Sequence, residues 1–378
     1  MPSAIVVGAT GILGRAIVSE LSKAPETWNQ IYALSRSKKG DYPPHVVHAN
    51  LDLAASAEDI ASVLKEMPAA YVFFAAYMQQ DTEEEQTRVN GDLLDAFLRA
   101  LEINGVPNLK RFILVTGAKQ YGVQHGRVKL PMIETDPWLP EPPYEPNFYY
   151  RQQRSVHAFC EKNDVEWVVT YPSIVIGFAE GNFMDFGSAL AIYAAVHKEV
   201  GTELPFPGGE AAYTRLGTFT GSALHAQFCA WAALEPRAGN QAFNVANGDT
   251  ESWQNLWPRV AKRFGLKVPA DQFSPARLNA EASSSRIEQR IELTRWAQTT
   301  GVRQAWQGLV DREGLANPHA LEKATWDFIG HFLGIDFDMI LSMSKARELG
   351  WTGYIDTWRN FENLFDELEA KKILPKTT

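Results

Sequence analysis

Ala4-Ile5-Val6-Val7-Gly8-Ala9-Thr10-Gly11-Ile12-Leu13-Gly14-Arg15-Ala16-Ile17-Val18 is an apolar run of strand length, then three glycines spaced G-x-x-G-x-x-G, then an amphipathic segment that starts a helix. That order is what a dinucleotide site requires. The strand delivers the chain to a tight turn, the glycines let the backbone come close to a pyrophosphate, and the helix N-terminus offers free N–H groups and the positive end of its dipole. A glycine triplet alone is weak evidence, and its place between a strand and a helix is what carries the reading. The cofactor loop is therefore Gly8, Thr10, Gly11, Ile12, Leu13 and Gly14, with the pyrophosphate over Gly11 to Leu13.

Working outward, Gln30 to Arg36 reads as a second strand that ends where the adenosine ribose lies in a doubly wound sheet. An NAD site generally carries Asp or Glu there for the ribose 2′-hydroxyl, whereas a 2′-phosphate calls for arginine. Here the residues are Ser35 and Arg36, with Lys38 close behind, which predicts NADPH/NADP as the cofactor. The strand from Val46 to about Leu51 runs into Asp52 and Leu53, placed to meet the adenine edge and face; Asp52 is equally suited to capping a helix. Tyr71 to Ala76 is an unbroken apolar strand, as a parallel sheet covered on both faces demands, and the small Ala75 and Ala76 at its end leave room for a cofactor. A long charged helix from about Glu83 to Asn104, and then Arg111 to Lys119, another buried strand ending in a polar turn, complete the alternation of an α/β Rossmann fold, a doubly wound parallel sheet.

Two further elements carry chemistry. Lys119 stands just past the C-terminal end of a strand, the edge at which such sheets bind ligands. The run Pro146 to Arg154 opens a helix reaching about Lys162, and the Pro-rich loop from Leu130 to Pro146 between them is long enough to be a lid or substrate rim. Glu166 to Gly177 reads as one strand interrupted by Pro172, which turns the backbone so that Pro172 and Ile174 wall the nicotinamide. Beyond Gly177 the alternation breaks, apart from one more sheet strand at Gln241 to Gly248, and the C-terminal part is tryptophan-rich and helical. Aromatics at helical spacing predict core first, and a roof over an apolar ligand second. The expected division is a Rossmann domain at 1–177 plus about 212–248, with a smaller, mostly helical substrate-binding region at about 178–211 and 249–378.

Composition excludes other classes. Of 378 residues 45% are hydrophobic, with 11 Trp, 20 Phe and 12 Tyr, which rules out a disordered or fibrous chain. A net charge of −9 argues against nucleic acid or an anionic membrane as partner. Cys160 and Cys229, far apart in helical segments, read as two buried thiols. The spacing His45-Val46-Val47-His48 has strand-like residues between the histidines, so no metal site is predicted. The chain enters its first strand without a leader-like segment, and its longest apolar helical run, Gly187 to Val196, is too short to span a bilayer; a cytoplasmic protein is expected, with a homodimer as the commonest assembly.

Together these residues resemble the extended short-chain dehydrogenase/reductase superfamily, and within it the progesterone 5β-reductase/iridoid synthase-like group. The resemblance covers nearly the whole chain: Gly8-x-x-Gly11-x-x-Gly14, Ser35-Arg36, Thr116-Gly117-Ala118-Lys119-Gln120-Tyr121, Asn147-Phe148-Tyr149-Tyr150, Pro172 to Gly177, Ala242 to Gly248, and Ser342 to Arg347. Ordinary members carry Tyr-x-x-x-Lys on one helix, but here Gln153 follows Tyr149 by four and Arg154 follows Tyr150 by four. The resemblance implies that Lys119 supplies the missing lysine and that Tyr149 is the catalytic tyrosine. It implies an NADPH-dependent reductase that adds hydride to the β-carbon of a C=C bond conjugated to a carbonyl, on a small apolar carbonyl substrate. Lys119 is then expected to favour the anionic form of the Tyr149 phenol and to bond the nicotinamide ribose. Two departures stand out: Gln120 where a histidine is common, and Gln153-Arg154 where an acidic pair is common. The same residues would also serve a carbonyl reductase or alcohol dehydrogenase; a regulator that binds NADP without turnover is a third reading, against which Tyr149 with Lys119 argues.

Overall fold

The structure is a computed structural model in which residues 2–37, 42–106, 108–179, 185–274 and 289–377 are described. Lys38, noted above behind Arg36, lies outside the described residues. In chain order the elements begin β1 (Ser3–Val7), α1 (Ile12–Leu21), β2 (Gln30–Ser35), β3 (Val46–Asn50), α2 (Ala57–Leu64), β4 (Tyr71–Phe74), α3 (Glu83–Ile103), β5 (Arg111–Val115), α4 (Phe148–Asn163) and β6 (Glu166–Pro172). They continue with β7 (Ile174–Ile176), α5 (Phe186–Val200), α6 (Glu210–Thr214), β8 (Leu216–Gly217), β9 (Phe219–Gly221), α7 (Ser222–Leu234), β10 (Gln241–Val245) and β11 (Glu251–Ser252). The remainder is helical: α8 (Trp253–Arg263), α9 (Leu293–Gln298), α10 (Thr300–Glu313), α11 (Ala320–Lys323), α12 (Trp326–Gly334), α13 (Ser344–Glu348) and α14 (Thr357–Ala370).

The chain divides into two compact units, one of Met1–Ser173, Ser222–Asn247 and Leu341–Tyr354, the other of Ile174–Gly221, Gly248–Ile340 and Ile355–Thr378. The first is built on a seven-stranded sheet in the order β10-β6-β5-β4-β1-β2-β3, parallel throughout. Every residue of β4 is buried, because α1 and α7 pack together in this unit, as do α3 and α4 and α2 and α3, and a parallel sheet is covered on both faces. Local chemistry sets the helix starts. Thr82 caps α3 by accepting the Glu85 N–H, and Glu83, Glu84 and Glu85 crowd the first turn, where carboxylates offset the exposed N–H dipoles. Arg151 of α4 ties the helix to α3 with 2.7 Å contacts to both Asp92 and Asp95.

The second unit buries several tryptophans. Trp253, Trp257, Trp306 and Trp326 lie in one apolar cluster with Phe186, Phe206, Phe361 and Phe365, so at these positions the aromatic pattern is core. No helix among the described residues is long and apolar enough to cross a membrane. Both cysteines are buried free thiols, and burial pushes the Cys160 thiol up to about 12.

One expectation is corrected. The segment read as one strand from Glu166 to Gly177 is two: Pro172 still pairs with Val245 in the main sheet, whereas Ile174 pairs with Phe219 in a separate two-stranded sheet. Proline lacks only its N–H, so its carbonyl side still fits the ladder, and the break falls one residue later. Strand β5 ends at Val115, and Lys119 lies past that end, as expected, in the turn Ala118–Tyr121.

Candidate active site

The first unit carries the site at the C-terminal edge of its sheet. Gly8 has φ +80 and its missing side chain would start 2.8 Å from the backbone of Ala75 and Ala76, so only glycine lets β1 turn against the end of β4. The backbone N–H groups of Gly8 and Ala9 both donate to the Leu34 carbonyl at 3.0 Å, and a Cβ on Gly14 would meet the Gly8 oxygen at 2.1 Å. Helix α1 therefore enters tight against the turn. Its N-cap, Gly11, has no side-chain cap and no acidic residue follows in the first turn, which leaves its N–H groups and dipole for an anion, as a pyrophosphate requires. Thr10, Ile12 and Leu13 lie on this turn and first helical turn, and the partly buried Ala75 and Ala76 flank it.

At the end of β2 the Ser35 hydroxyl donates to the Ser37 carbonyl at 2.8 Å and lies 3.0 Å from His48 Nε2. Ser35 is thus occupied in holding the turn, while the neighbouring Arg36 side chain is exposed. Asp52 accepts the Ala54 N–H at 3.0 Å and does not cap a helix; Ser56 caps α2. Leu53 follows, partly buried. Ile174 lies apart from these residues in the chain's division, buried in the core of the second unit.

Lys119 and Tyr149 are joined through Asn147. The Asn147 side chain caps α4 by accepting the Tyr149 N–H at 3.0 Å and donates from Nδ2 to the Lys119 carbonyl at 2.8 Å. The Tyr149 hydroxyl lies over Gly117, where a Cβ would stand 2.9 Å from it and 3.5 Å from the Pro172 carbonyl. No hydrogen bond joins that hydroxyl to another described residue. Tyr150 is the opposite case. Its hydroxyl donates to the Gln120 carbonyl at 2.8 Å and accepts the Leu139 N–H at 3.0 Å, and its ring stacks on Trp138 at 4.6 Å. Of the adjacent tyrosines, the second is a bolt and the first is free to act.

Glu83, at the first turn of α3, was not singled out in the sequence, yet both its carboxylate oxygens accept from Lys119 Nζ, at 2.5 and 2.6 Å. Lys119 Nζ also lies 5.6 Å from the centre of the Phe148 ring. This overturns the expected effect of Lys119 on Tyr149. Burial, then the Tyr77 hydroxyl and the Glu83 carboxylate, hold the Tyr149 phenol above its ordinary range. A lysine whose charge is cancelled by a carboxylate at contact distance does not pull a neighbouring phenol down. Nothing in the spacing of Glu83 points to this pairing, since it depends on how α3 is docked.

The two departures at 120 and 153 meet each other. Gln153 Nε2 donates to Gln120 Oε1 at 2.8 Å and to the Tyr149 carbonyl at 3.1 Å, and Gln153 Oε1 accepts from the Tyr171 hydroxyl at 2.7 Å. The tail motif is structural too: Lys345 Nζ donates to the Ala242 carbonyl at 2.9 Å, and Asn244 reaches the carbonyls of Met132 and Ser342 at 3.0 Å each. Among the described residues no group of three His, Cys, Asp or Glu is placed to hold a metal ion.

Because Asn147 serves both ends of the pair, Asn147→Ala is expected to cost about 1 kcal/mol of stability, the usual loss for an N-cap. Its thermal midpoint should fall by about 1–2 °C, read by circular dichroism; an unchanged midpoint would show that the cap is dispensable.

The seven-stranded parallel sheet with its glycine turn at β1, together with the family match, makes the chain an extended short-chain dehydrogenase/reductase, an oxidoreductase class of enzyme. The chain belongs to the PRISE-like Rossmann-fold domain family, whose model matches residues 4–375. It is 36% identical to an uncharacterised protein of Schizosaccharomyces pombe, covering 99% of this chain and 98% of the relative. It is 29% identical to a 3-oxo-Δ(4,5)-steroid 5β-reductase of Arabidopsis thaliana, covering 98% of this chain and 93% of that one. The (S)-8-oxocitronellyl enol synthase of Camptotheca acuminata is also 29% identical, over the same shares. Among solved structures the fold matches a UDP-glucose 4-epimerase from Thermotoga maritima with TM-score 0.63 and 14% identity, covering 97% of this chain and 99% of that one.

Proposed function

We propose that the chain is an NADPH-dependent reductase of an activated C=C bond in an apolar enone or enal, by 1,4-addition. The observation that carries this reading is the Tyr149 hydroxyl, unbonded to any described residue, on the helix whose cap, Asn147, also holds the Lys119 carbonyl, with the Lys119 charge balanced by Glu83. Reduced nicotinamide, when bound, supplies hydride to the carbon β to the carbonyl. The chain's residues do the rest. The α1 N-terminus and the Gly11 to Leu13 backbone bind the pyrophosphate, Arg36 takes the 2′-phosphate, and Lys119 orients the ribose. Tyr149 donates to the carbonyl oxygen as negative charge gathers there, which is the role of a general acid at an oxyanion. Its phenol, held above the ordinary range by burial, the Tyr77 hydroxyl and the Glu83 carboxylate, is protonated at neutral pH and so is a donor. The relatives named as a steroid 5β-reductase and an oxocitronellyl enol synthase support the same chemistry.

The test is NADPH consumption with a panel of cyclic and acyclic enones, with the product identified by mass and proton spectra. A saturated ketone or aldehyde, or the enolate-derived product, is the expected result. An allylic alcohol with its double bond intact would make the enzyme a carbonyl reductase, and tight cofactor binding with no turnover of any member would favour a regulator.

A further inference from the structure

We infer that Glu83 is a positioning residue of this site: it fixes the Lys119 ammonium with both carboxylate oxygens and cancels its charge, so that Tyr149 works as a neutral donor. The inference rests on the reading of Tyr149 as the donor. Three observations converge on it. Glu83 is partly buried, with 29% of its side chain exposed against 25% for Lys119, so the pair is shielded from full solvent screening. The contact is double, 2.5 and 2.6 Å, which holds a flexible four-carbon stem in one direction instead of leaving it to sweep the site. The element that carries Glu83 is itself anchored: Gln86 and Asn90 of α3 bind the backbone of Met78 and Gln80, at 3.0 Å from Gln86 Nε2 to the Met78 carbonyl and 2.8 Å from the Met78 N–H to Asn90 Oδ1. That lacing also carries Tyr77 into the site, its hydroxyl donating to Gln79.

The groups that bear on the Tyr149 phenol are the Tyr77 hydroxyl from the segment after β4 and the Glu83 carboxylate from α3; Lys119, from the turn after β5, is held by that same carboxylate. Glu83 is the anion among them. Replacing it with glutamine removes a negative charge that opposes the phenolate and leaves the Lys119 charge unbalanced. Both changes favour the phenolate, so both move the titration of Tyr149 downward.

The experiment is an alkaline titration of tyrosinate absorbance, in parallel with the pH dependence of kcat at saturating cofactor and enone, for wild type, Glu83→Gln and Glu83→Asp, each also in a Tyr149→Phe background. The Tyr149 step is the one that the phenylalanine background removes. In Glu83→Gln that step, and the alkaline limb of kcat, should move down by about one to two pH units, the size of a neighbouring-charge effect. Glu83→Asp, which keeps the charge, should restore most of the wild-type position. An unmoved Tyr149 step in Glu83→Gln overturns the inference. The titration needs no substrate, so it separates this outcome from a failure of the enone reductase reading, which would show as absent turnover with the titration shifted as described.

Discussion

Tyr149→Phe is expected to lower kcat about 10²- to 10³-fold, the equivalent of about 2.7–4 kcal/mol of barrier for losing one donor at a developing oxyanion. The loss should fall on kcat with the cofactor dissociation constant unchanged, because a residue acting only as the charge develops does not contribute to ground-state binding. The neighbouring Tyr150 provides the control. Its hydroxyl is spent on the Gln120 carbonyl and the Leu139 N–H, so Tyr150→Phe should strand two backbone groups and cost about 1–3 kcal/mol of stability, while leaving the chemical step in place. Stopped-flow single turnovers on the folded variants separate the two. Full turnover in Tyr149→Phe would remove the assigned acid. The pH dependence follows from the same assignment. Tyr149 acts while protonated and its phenol sits above the ordinary range, so kcat should hold from neutral into alkaline solution and fall only as the phenol ionises, on the high side of a free tyrosine.

Arg36→Ala should raise the KM for NADPH about 10- to 100-fold and leave that for NADH nearly unchanged. A charge-assisted contact to phosphate contributes about 1.5–3 kcal/mol, and the arginine fork matches two phosphate oxygens at once. The side chain is exposed at the end of β2, so its removal should alter stability by no more than about 0.5 kcal/mol. Ser35 cannot stand in for it without giving up its bond to the Ser37 carbonyl. Equal losses for both cofactors would mean that Arg36 supports the turn rather than reads the 2′ position.

Much of the frame was legible in the residues. The order of apolar run, spaced glycines and helix at Ala4 to Val18 states the first unit's sheet edge, because φ at Gly8 and the close approach at Gly14 are local demands that only glycine meets. Strands such as Tyr71 to Phe74 announce themselves by being apolar on both faces. Less visible was the place where the chain leaves the first unit. Pro172 looked like the end of pairing and is the last paired residue, since a ladder tolerates a proline whose missing N–H is not asked for.

The substitutions at 120 and 153 teach the same lesson. Taken singly, each is a departure from a familiar pattern; together they are one contact, with Gln153 Nε2 on Gln120 Oε1 at 2.8 Å. Two neutral amides hold the Lys119 turn against the Tyr149 helix without titrating, and Tyr171 closes the chain from β6.

By itself the sequence determined the parallel α/β sheet, the glycine turn and the two residue types, lysine and tyrosine, that the family's chemistry asks for. These depend on periodicity, turn geometry and short motifs, all readable within a few residues. Only the tertiary structure decided which of two adjacent tyrosines is left with a free hydroxyl and which anion holds Lys119. The second answer lies 36 residues back along the chain, and a partner chosen by the docking of one helix against a sheet leaves no periodic trace for a reader of the residues to follow.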